Sequence, residues 1–316
     1  MDYAKLFQFY KQLQERLTQA GLSYRLIGGQ AAVLYKFAEF TKDCDLNIGI
    51  DGAPIFLKIL SEVTAQFSTQ TPATVSYRFG LGSPVDARWG MHGWTSHFEI
   101  TTSDIHPRID LFMQLPRVDS RFNFQAGVSE LNILAETKKT QREKDWDFVK
   151  SIGLKMLERG DPLGFLHIFD HTILTDFVAK NQRPSTNLVT LRPALGLIDT
   201  NIQLLEPALQ IERLFWQKWD AVRLKRYVEG GRNYFSEIRK VTKQLAGEPL
   251  SIQHQALIGI AEQYLPPNPF TKPSVSELIQ QIVTELFTGF PSSFRAYLPN
   301  LDLIVHDDGV YNPMSW

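Results

Sequence analysis

Two aspartates one residue apart, Asp43-Cys44-Asp45, are the side chains whose type and spacing best suit chemistry in this chain. They close the run Tyr24-Arg-Leu-Ile-Gly-Gly-Gln-Ala-Ala-Val-Leu-Tyr35, continued by Thr41-Lys-Asp-Cys-Asp-Leu-Asn-Ile48, which reads as a strand, a glycine turn, a short helix and a second strand. Side chains alternate along a strand, so the two carboxylates share one face with Cα atoms about 7 Å apart, close enough for both to hold one magnesium ion. Cys44 then faces the opposite side, toward a core. The same spacing recurs at Asp145-Trp146-Asp147 within a helical pattern, where two steps of about 100° put the carboxylates on nearly opposite sides. Spacing by itself is therefore weak, and the strand context gives it meaning.

Two-metal phosphoryl transfer calls for further carboxylate, to bridge the ions and to orient or deprotonate the attacking hydroxyl. Asp110 meets that need from Arg108-Ile-Asp-Leu-Phe-Met-Gln-Leu115, an apolar strand interrupted by one acid whose burial without a metal or partner would be costly. Glu99, in His97-Phe-Glu-Ile100, competes from the preceding segment, but its flanks are less apolar. The Gly28-Gly29 turn supplies an anion-binding half: glycine lets the backbone approach a phosphate, and the helix that follows offers unpaired N–H groups.

These residues need elements to hold them. Leu6, Phe9, Leu13 and Leu17 recur at helical spacing over residues 2–20, and Gly21 follows where that helix would stop. Tyr24–Ile27 reads as a buried strand and Gln30–Phe37 as a helix, and Leu46, Ile48 and Ile50 extend the aspartate strand. After the turn Asp51-Gly-Ala-Pro54, a helical stripe runs through Ile55, Phe56, Ile59, Leu60 and Val63. β-like segments follow at 74–79, 95–101 and 108–115, and residues 128–152 read as mostly helical. Near Gly160-Asp-Pro162 strand signals nearly vanish, and helical patterns dominate to about residue 290. Loops are expected at Pro184-Ser-Thr186 and Pro266-Pro-Asn-Pro269, and a short extended tail at Leu301–Val305.

At 316 residues, with 43% apolar and 21% charged side chains, the chain is long enough for two ordinary folded domains. A formal charge of −1 removes any global electrostatic case for nucleic-acid binding, though not a local one. One cysteine excludes an internal disulfide framework and fits a reducing compartment. Neither a signal peptide nor an apolar run of about 18 residues is indicated, so the expectation is a cytoplasmic protein with no membrane association.

Gly28-Gly29, Asp43, Asp45 and Asp110 match in order the pattern of nucleotidyltransferases with the polymerase-β-like fold. The chain resembles that superfamily over about residues 5–150. Leu134-Ala-Glu-Thr-Lys-Lys-Thr-Gln-Arg-Glu-Lys-Asp145 is also similar to the Lys-x-x-Arg…Lys-Asp helix of bacterial minimal and AbiEii-type nucleotidyltransferases, several of which are toxin components. Gly28-Gly29-Gln30 departs from the pattern, which has a hydroxyl residue after the glycine pair; the Gln30 side chain stands in its place. The resemblance implies an α+β fold with a polymerase-β-like nucleotidyltransferase domain over 1–158 (a mixed sheet with helices); the change of pattern near residue 160 gives a mostly α-helical domain over 159–316, the natural acceptor-binding element if the first domain is a nucleotidyltransferase. The resemblance implies transfer of a nucleoside monophosphate from an NTP to an acceptor hydroxyl on RNA, protein or a small molecule, with Mg²⁺ or Mn²⁺ as cofactor. Asp43, Asp45 and Asp110 would be the metal ligands and catalytic acids, with Asp110 taking the proton. Gly28, Gly29, Gln30, Lys139 and Arg142 would bind the nucleotide, the last two from one helix face. A cognate antitoxin is a further implied partner.

Other readings stay beside this one. His167 and His171 have metal-ligand spacing but lack the acid of a zinc-protease motif, so a structural role is expected. Basic residues from Arg213 to Lys243 alternate with Trp216, Trp219, Tyr227 and Tyr234, either as a base-stacking surface or as a helix pair with an aromatic core. A degenerate fold serving as a nucleic-acid or partner-binding module, and a glycosyltransferase using Asp-x-Asp on a nucleotide sugar, are the alternatives in function.

Overall fold

The computed structural model of the protein describes residues 2–67, 73–118 and 126–300, and it is α+β, with one mixed six-stranded sheet. The expected extended tail at 301–305 lies outside the described residues. The N-terminal helix α1 (Tyr3–Gln19) starts at Asp2, whose carboxylate accepts from the N–H groups of Ala4 and Lys5, and it buries Leu6, Phe9, Tyr10, Leu13 and Leu17. Then come β1 (Tyr24–Ile27), α2 (Gly28–Leu34), β2 (Asp43–Ile48), α3 (Ala53–Phe67), β3 (Thr74–Gly82), α4 (Ala87–Gly90), β4 (Ser96–Thr101), β5 (Arg108–Phe112) and β6 (Gly127–Val128). Helices follow: α5 (Leu131–Thr137), α6 (Glu143–Glu158), α7 (His171–Ala179), α8 (Thr186–Leu191), α9 (Leu197–Thr200), α10 (Ile202–Gly230), α11 (Arg232–Leu245), α12 (Leu250–Tyr264) and α13 (Val275–Leu286). None of the described helices is long and apolar enough to cross a membrane.

Strand order is β3-β4-β5-β2-β1-β6, with β2–β5 and β1–β6 parallel and the other pairs antiparallel. Period-two alternation sorts the sheet's two faces. Cys44, Leu46, Ile48, Phe98, Ile100, Ile109 and Leu111 point into an apolar core shared with α1 and α3. Asp43, Asp45, Asn47, His97, Glu99, Arg108 and Asp110 fall on the other face.

The chain forms two compact units, and the expected boundary at 158 is not where they divide. Unit 1 comprises Met1–Leu115, Asp119–Ser129 and Tyr227–Pro269; unit 2 comprises Pro116–Val118, Glu130–Arg226 and Phe270–Trp316. The reason is side-chain complementarity far along the sequence. Helices α11 and α12 return to pack on β3. There Gln253 accepts from the Tyr77 N–H at 3.0 Å and donates to the Val75 carbonyl at 3.3 Å, while the Trp89 indole donates to the Leu265 carbonyl at 3.1 Å.

Unit 2 has its own core, built around Phe165, Ile168, Leu174, Leu195, Leu205 and Leu209. Beside it lie buried charges. The Lys139 ammonium is 2.6 Å from Glu136, and the Arg192 guanidinium is 2.7 Å from Glu212 while also donating to the Phe165 and Ile168 carbonyls. His167, wholly buried, shares a 2.7 Å hydrogen bond between Nε2 and Asn132 Oδ1, which requires the proton on Nε2. Burial, and then the positive charges of Lys139 and Arg192, hold its pKa well below the usual 6.5. Its 3.7 Å approach to Glu136 is therefore not an ion pair near neutrality. In the unfolded chain this imidazole takes up a proton below about pH 6.5, whereas in the folded chain it stays neutral, so its contribution is full above that pH and is lost as pH falls. Urea melts at pH 7.5 and 5.5 are expected to show stability falling with acid, by at most about tenfold in the folding constant per pH unit for this one proton. His167→Gln reduces that slope; an unchanged slope contradicts the assignment.

Candidate active site

The two aspartates of the first motif stand where the alternation puts them, on the polar face of β2, with Asp43 exposed and Asp45 half-buried. Parallel pairing of β2 with β5 sets Asp45 opposite Asp110 and Asp43 opposite Arg108. That pairing is pinned at both ends by buried polar side chains. The Tyr10 hydroxyl donates to the Lys42 carbonyl at 2.7 Å and accepts from the Arg108 N–H at 3.1 Å, and the Asn47 amide donates to the Phe112 and Met113 carbonyls at 3.1 Å each. A slip of β2 by one residue would turn Asp43 and Asp45 into the core. Helical Asp145 and Asp147 behave as the contrast requires: Asp145 is buried against Arg142 and Thr140, and Asp147 is exposed.

Gly28 and Gly29 are fixed by what lies against them. Gly28 has φ +56°, and a Cβ there would lie 1.7 Å from Asp45 Oδ2; at Gly29 a Cβ would lie 2.3 Å from Thr41 Oγ1. The Gly29 N–H donates to Asp45 Oδ2 at 3.2 Å. One of the N–H groups expected to meet a phosphate is thus already engaged by an aspartate of the site. Gln30 is buried on α2 rather than open at the turn. Gly28→Ala combines a left-handed backbone with a collision at Asp45, and the expected loss of stability is about 2–4 kcal/mol together with displacement of the carboxylate. A chemical melt measures it; a loss below about 1 kcal/mol would show that the contact yields easily.

Asp110 is not alone. His97, its antiparallel partner on β4, brings Nδ1 to 2.6 Å from Asp110 Oδ1, and Arg78 lies 3.9 Å from the same oxygen. Glu99 sits one pair further along, 3.5 Å from Arg108 and 4.0 Å from Arg78, so it is held as an ion-pair member. His97 escaped the sequence reading, although alternation in His97-Phe98-Glu99-Ile100 already placed it on Glu99's face; only the β4–β5 register brings it to Asp110. Negative charge accumulates here. Burial first, and then Asp45, Asp110 and Asp43, push the Cys44 thiol well above its usual pKa, and it is a neutral core group.

Lys139 and Arg142 do not form the expected helical pair. The helix breaks between α5 and α6, both residues lie in the connection, and Arg142 is the N-cap residue of α6. Lys139 is buried in unit 2 on Glu136, an environment that lowers its pKa mainly through desolvation, and Arg142 is spent on Asp145 at 2.6 Å. The aromatic residues of the basic segment are likewise core, with Trp216, Trp219 and Tyr234 buried. His167 and His171 lie on either side of a helix start rather than on one helix.

A site of three carboxylates, with the cysteine turned away, offers hard oxygen donors that fit magnesium or manganese. Among the described residues no three His, Cys, Asp or Glu side chains converge into a cage. Magnesium commonly takes one or two protein carboxylates and completes its shell with water and substrate phosphates. Comparison with protein-family models, curated proteins and solved structures returns no match.

Proposed function

We propose that the protein is a magnesium-dependent nucleotidyltransferase, moving a nucleoside monophosphate from an NTP to an acceptor hydroxyl. The observation that carries this is the in-register pairing of Asp45 with Asp110 on adjacent parallel strands, with Asp43 on the same face and the Gly28-Gly29 backbone packed on Asp45. Asp43 and Asp45 hold the metal-bound triphosphate, and Asp110 contributes a carboxylate on the acceptor side. The divalent ion, when bound, neutralises charge on the triphosphate and on the departing pyrophosphate. Asp110, through its bond to His97, belongs to a group able to accept the acceptor's proton. Incubation with magnesium and each α-labelled NTP, with total RNA, a protein extract or no acceptor, tests this. Label must appear in a polymer or adduct and vanish with EDTA; absence of both nucleotide binding and transfer sinks the proposal.

One observation favours a second reading, a partner-binding module without catalysis. Asp110 is hydrogen-bonded to His97 and lies 3.9 Å from Arg78, and Glu99 is flanked by Arg78 and Arg108, so two carboxylates of this face already have partners within the chain. Partner binding indifferent to magnesium and to loss of the aspartates would favour it.

A further inference from the structure

Asp110 and His97 belong to a chain of three groups, and its third member is a hydroxyl. His97 Nδ1 lies 2.6 Å from Asp110 Oδ1, and His97 Nε2 lies 2.9 Å from Thr95 Oγ1. An ionised carboxylate only accepts, so the Asp110 contact requires the imidazole proton on Nδ1. In the neutral imidazole this leaves Nε2 as an acceptor, and the Thr95 hydroxyl donates to it. A hydroxyl hydrogen-bonded to a base, with the base oriented by a carboxylate, is the arrangement that activates a nucleophile.

Local structure holds these groups in place. Thr95 immediately precedes β4 and His97 is that strand's second residue; the contacts of His97 with both place the Thr95 hydroxyl on the side of the sheet that carries Asp110. The Thr95 carbonyl accepts from the Ser83 N–H at 2.8 Å, which fixes its backbone. The end of β3 closes over the pair only because residue 82 is glycine: with φ +66°, a Cβ there would come within 2.0 Å of the Thr95 carbonyl oxygen and 2.8 Å of His97 Cδ2. The side chains remain reachable, with His97 19% and Asp110 25% exposed and Thr95 half-buried. A threonine serving structure alone commonly gives its hydroxyl to a nearby carbonyl; this one gives it to an imidazole.

We propose that Thr95 is itself a nucleotide acceptor, so that the chain modifies its own site, an inference that rests on the nucleotidyltransferase reading. In this step Thr95 Oγ1 attacks the α-phosphorus of the NTP, the Oγ1–P bond forms and the bond from that phosphorus to the β-phosphate's bridging oxygen breaks. Pyrophosphate leaves with the bond's electron pair, and the hydroxyl proton passes to His97 Nε2, giving an imidazolium beside the Asp110 carboxylate. The product is a threonine phosphodiester, one nucleotide per chain, which occupies the acceptor side of Asp110 and makes the reaction self-limiting.

The test uses the full chain with magnesium and each of ATP, GTP, CTP and UTP, read by intact mass and peptide mapping, with NTP binding and transfer to added RNA measured in parallel. The expected result is an increment of one nucleoside monophosphate less water on the peptide containing Thr95. Thr95→Val abolishes it, Thr95→Ser retains it, and His97→Gln slows it by about 10²–10⁴-fold. An unmodified wild-type chain that binds NTP and labels RNA overturns self-modification and leaves the parent reading standing. A chain that binds no NTP overturns both. An increment persisting at another residue in Thr95→Val overturns the assignment to Thr95.

Discussion

Asp43→Asn combined with Asp45→Asn is expected to reduce nucleotidyl transfer by at least about 10³-fold while leaving the melting temperature near that of the wild type. Asparagine matches aspartate in size and removes two negative charges from one face of β2. The fold survives because Asp43 is exposed, and because an amide oxygen at position 45 can still accept the Gly29 N–H that the carboxylate accepts at 3.2 Å. The chain provides its own control in Asp147→Asn on the exposed side of α6, which should leave transfer unchanged. The check is initial rate with labelled NTP at saturating magnesium, alongside circular dichroism. Transfer retained within about tenfold would remove these aspartates from the chemistry, and a collapsed melt would make them structural instead.

Glu212→Ala is expected to cost about 3–5 kcal/mol, a large share of the stability a domain usually has. Both Glu212 and Arg192 have side chains only 2% exposed, and the guanidinium stands 2.7 Å from the carboxylate. Alanine leaves a buried positive charge whose remaining contacts include the Phe165 and Ile168 carbonyls and the face of the Phe169 ring but no longer the Glu212 carboxylate. Replacing both residues, as Arg192→Met with Glu212→Leu, should recover much of the loss, because the desolvation of each ion disappears with it. Urea denaturation of the three variants decides the matter: a loss below about 1 kcal/mol in Glu212→Ala would mean that water reaches the pair.

Short-range periodicity made much of the site readable. The strands at 24–27 and 43–48, the inward Cys44 and the outward aspartates all follow from a period of two over a few residues. What was not readable depends on pairings between distant segments. Nothing local marks Tyr10 and Asn47, and only the β2–β5 ladder shows what their polar atoms hold. His97 becomes part of the site only through the β4–β5 register. Lys139, expected to reach a nucleotide from a helix face, is instead buried, its ammonium paired with Glu136, a partner three residues away that local periodicity does not single out. The boundary near 158 failed for the same reason, since nothing local says that α11 and α12 go back to β3.

That return has a consequence for the order in which the protein can be made. The bond between Tyr77 and Gln253 joins residues 176 positions apart, and at about 5–20 residues per second a ribosome needs roughly 10–35 s to supply the second after the first. Throughout that interval the nascent sheet carries its aspartates but not the helices that cover β3. The site's scaffold is therefore among the last parts to be completed during synthesis, although its motifs are among the first to emerge.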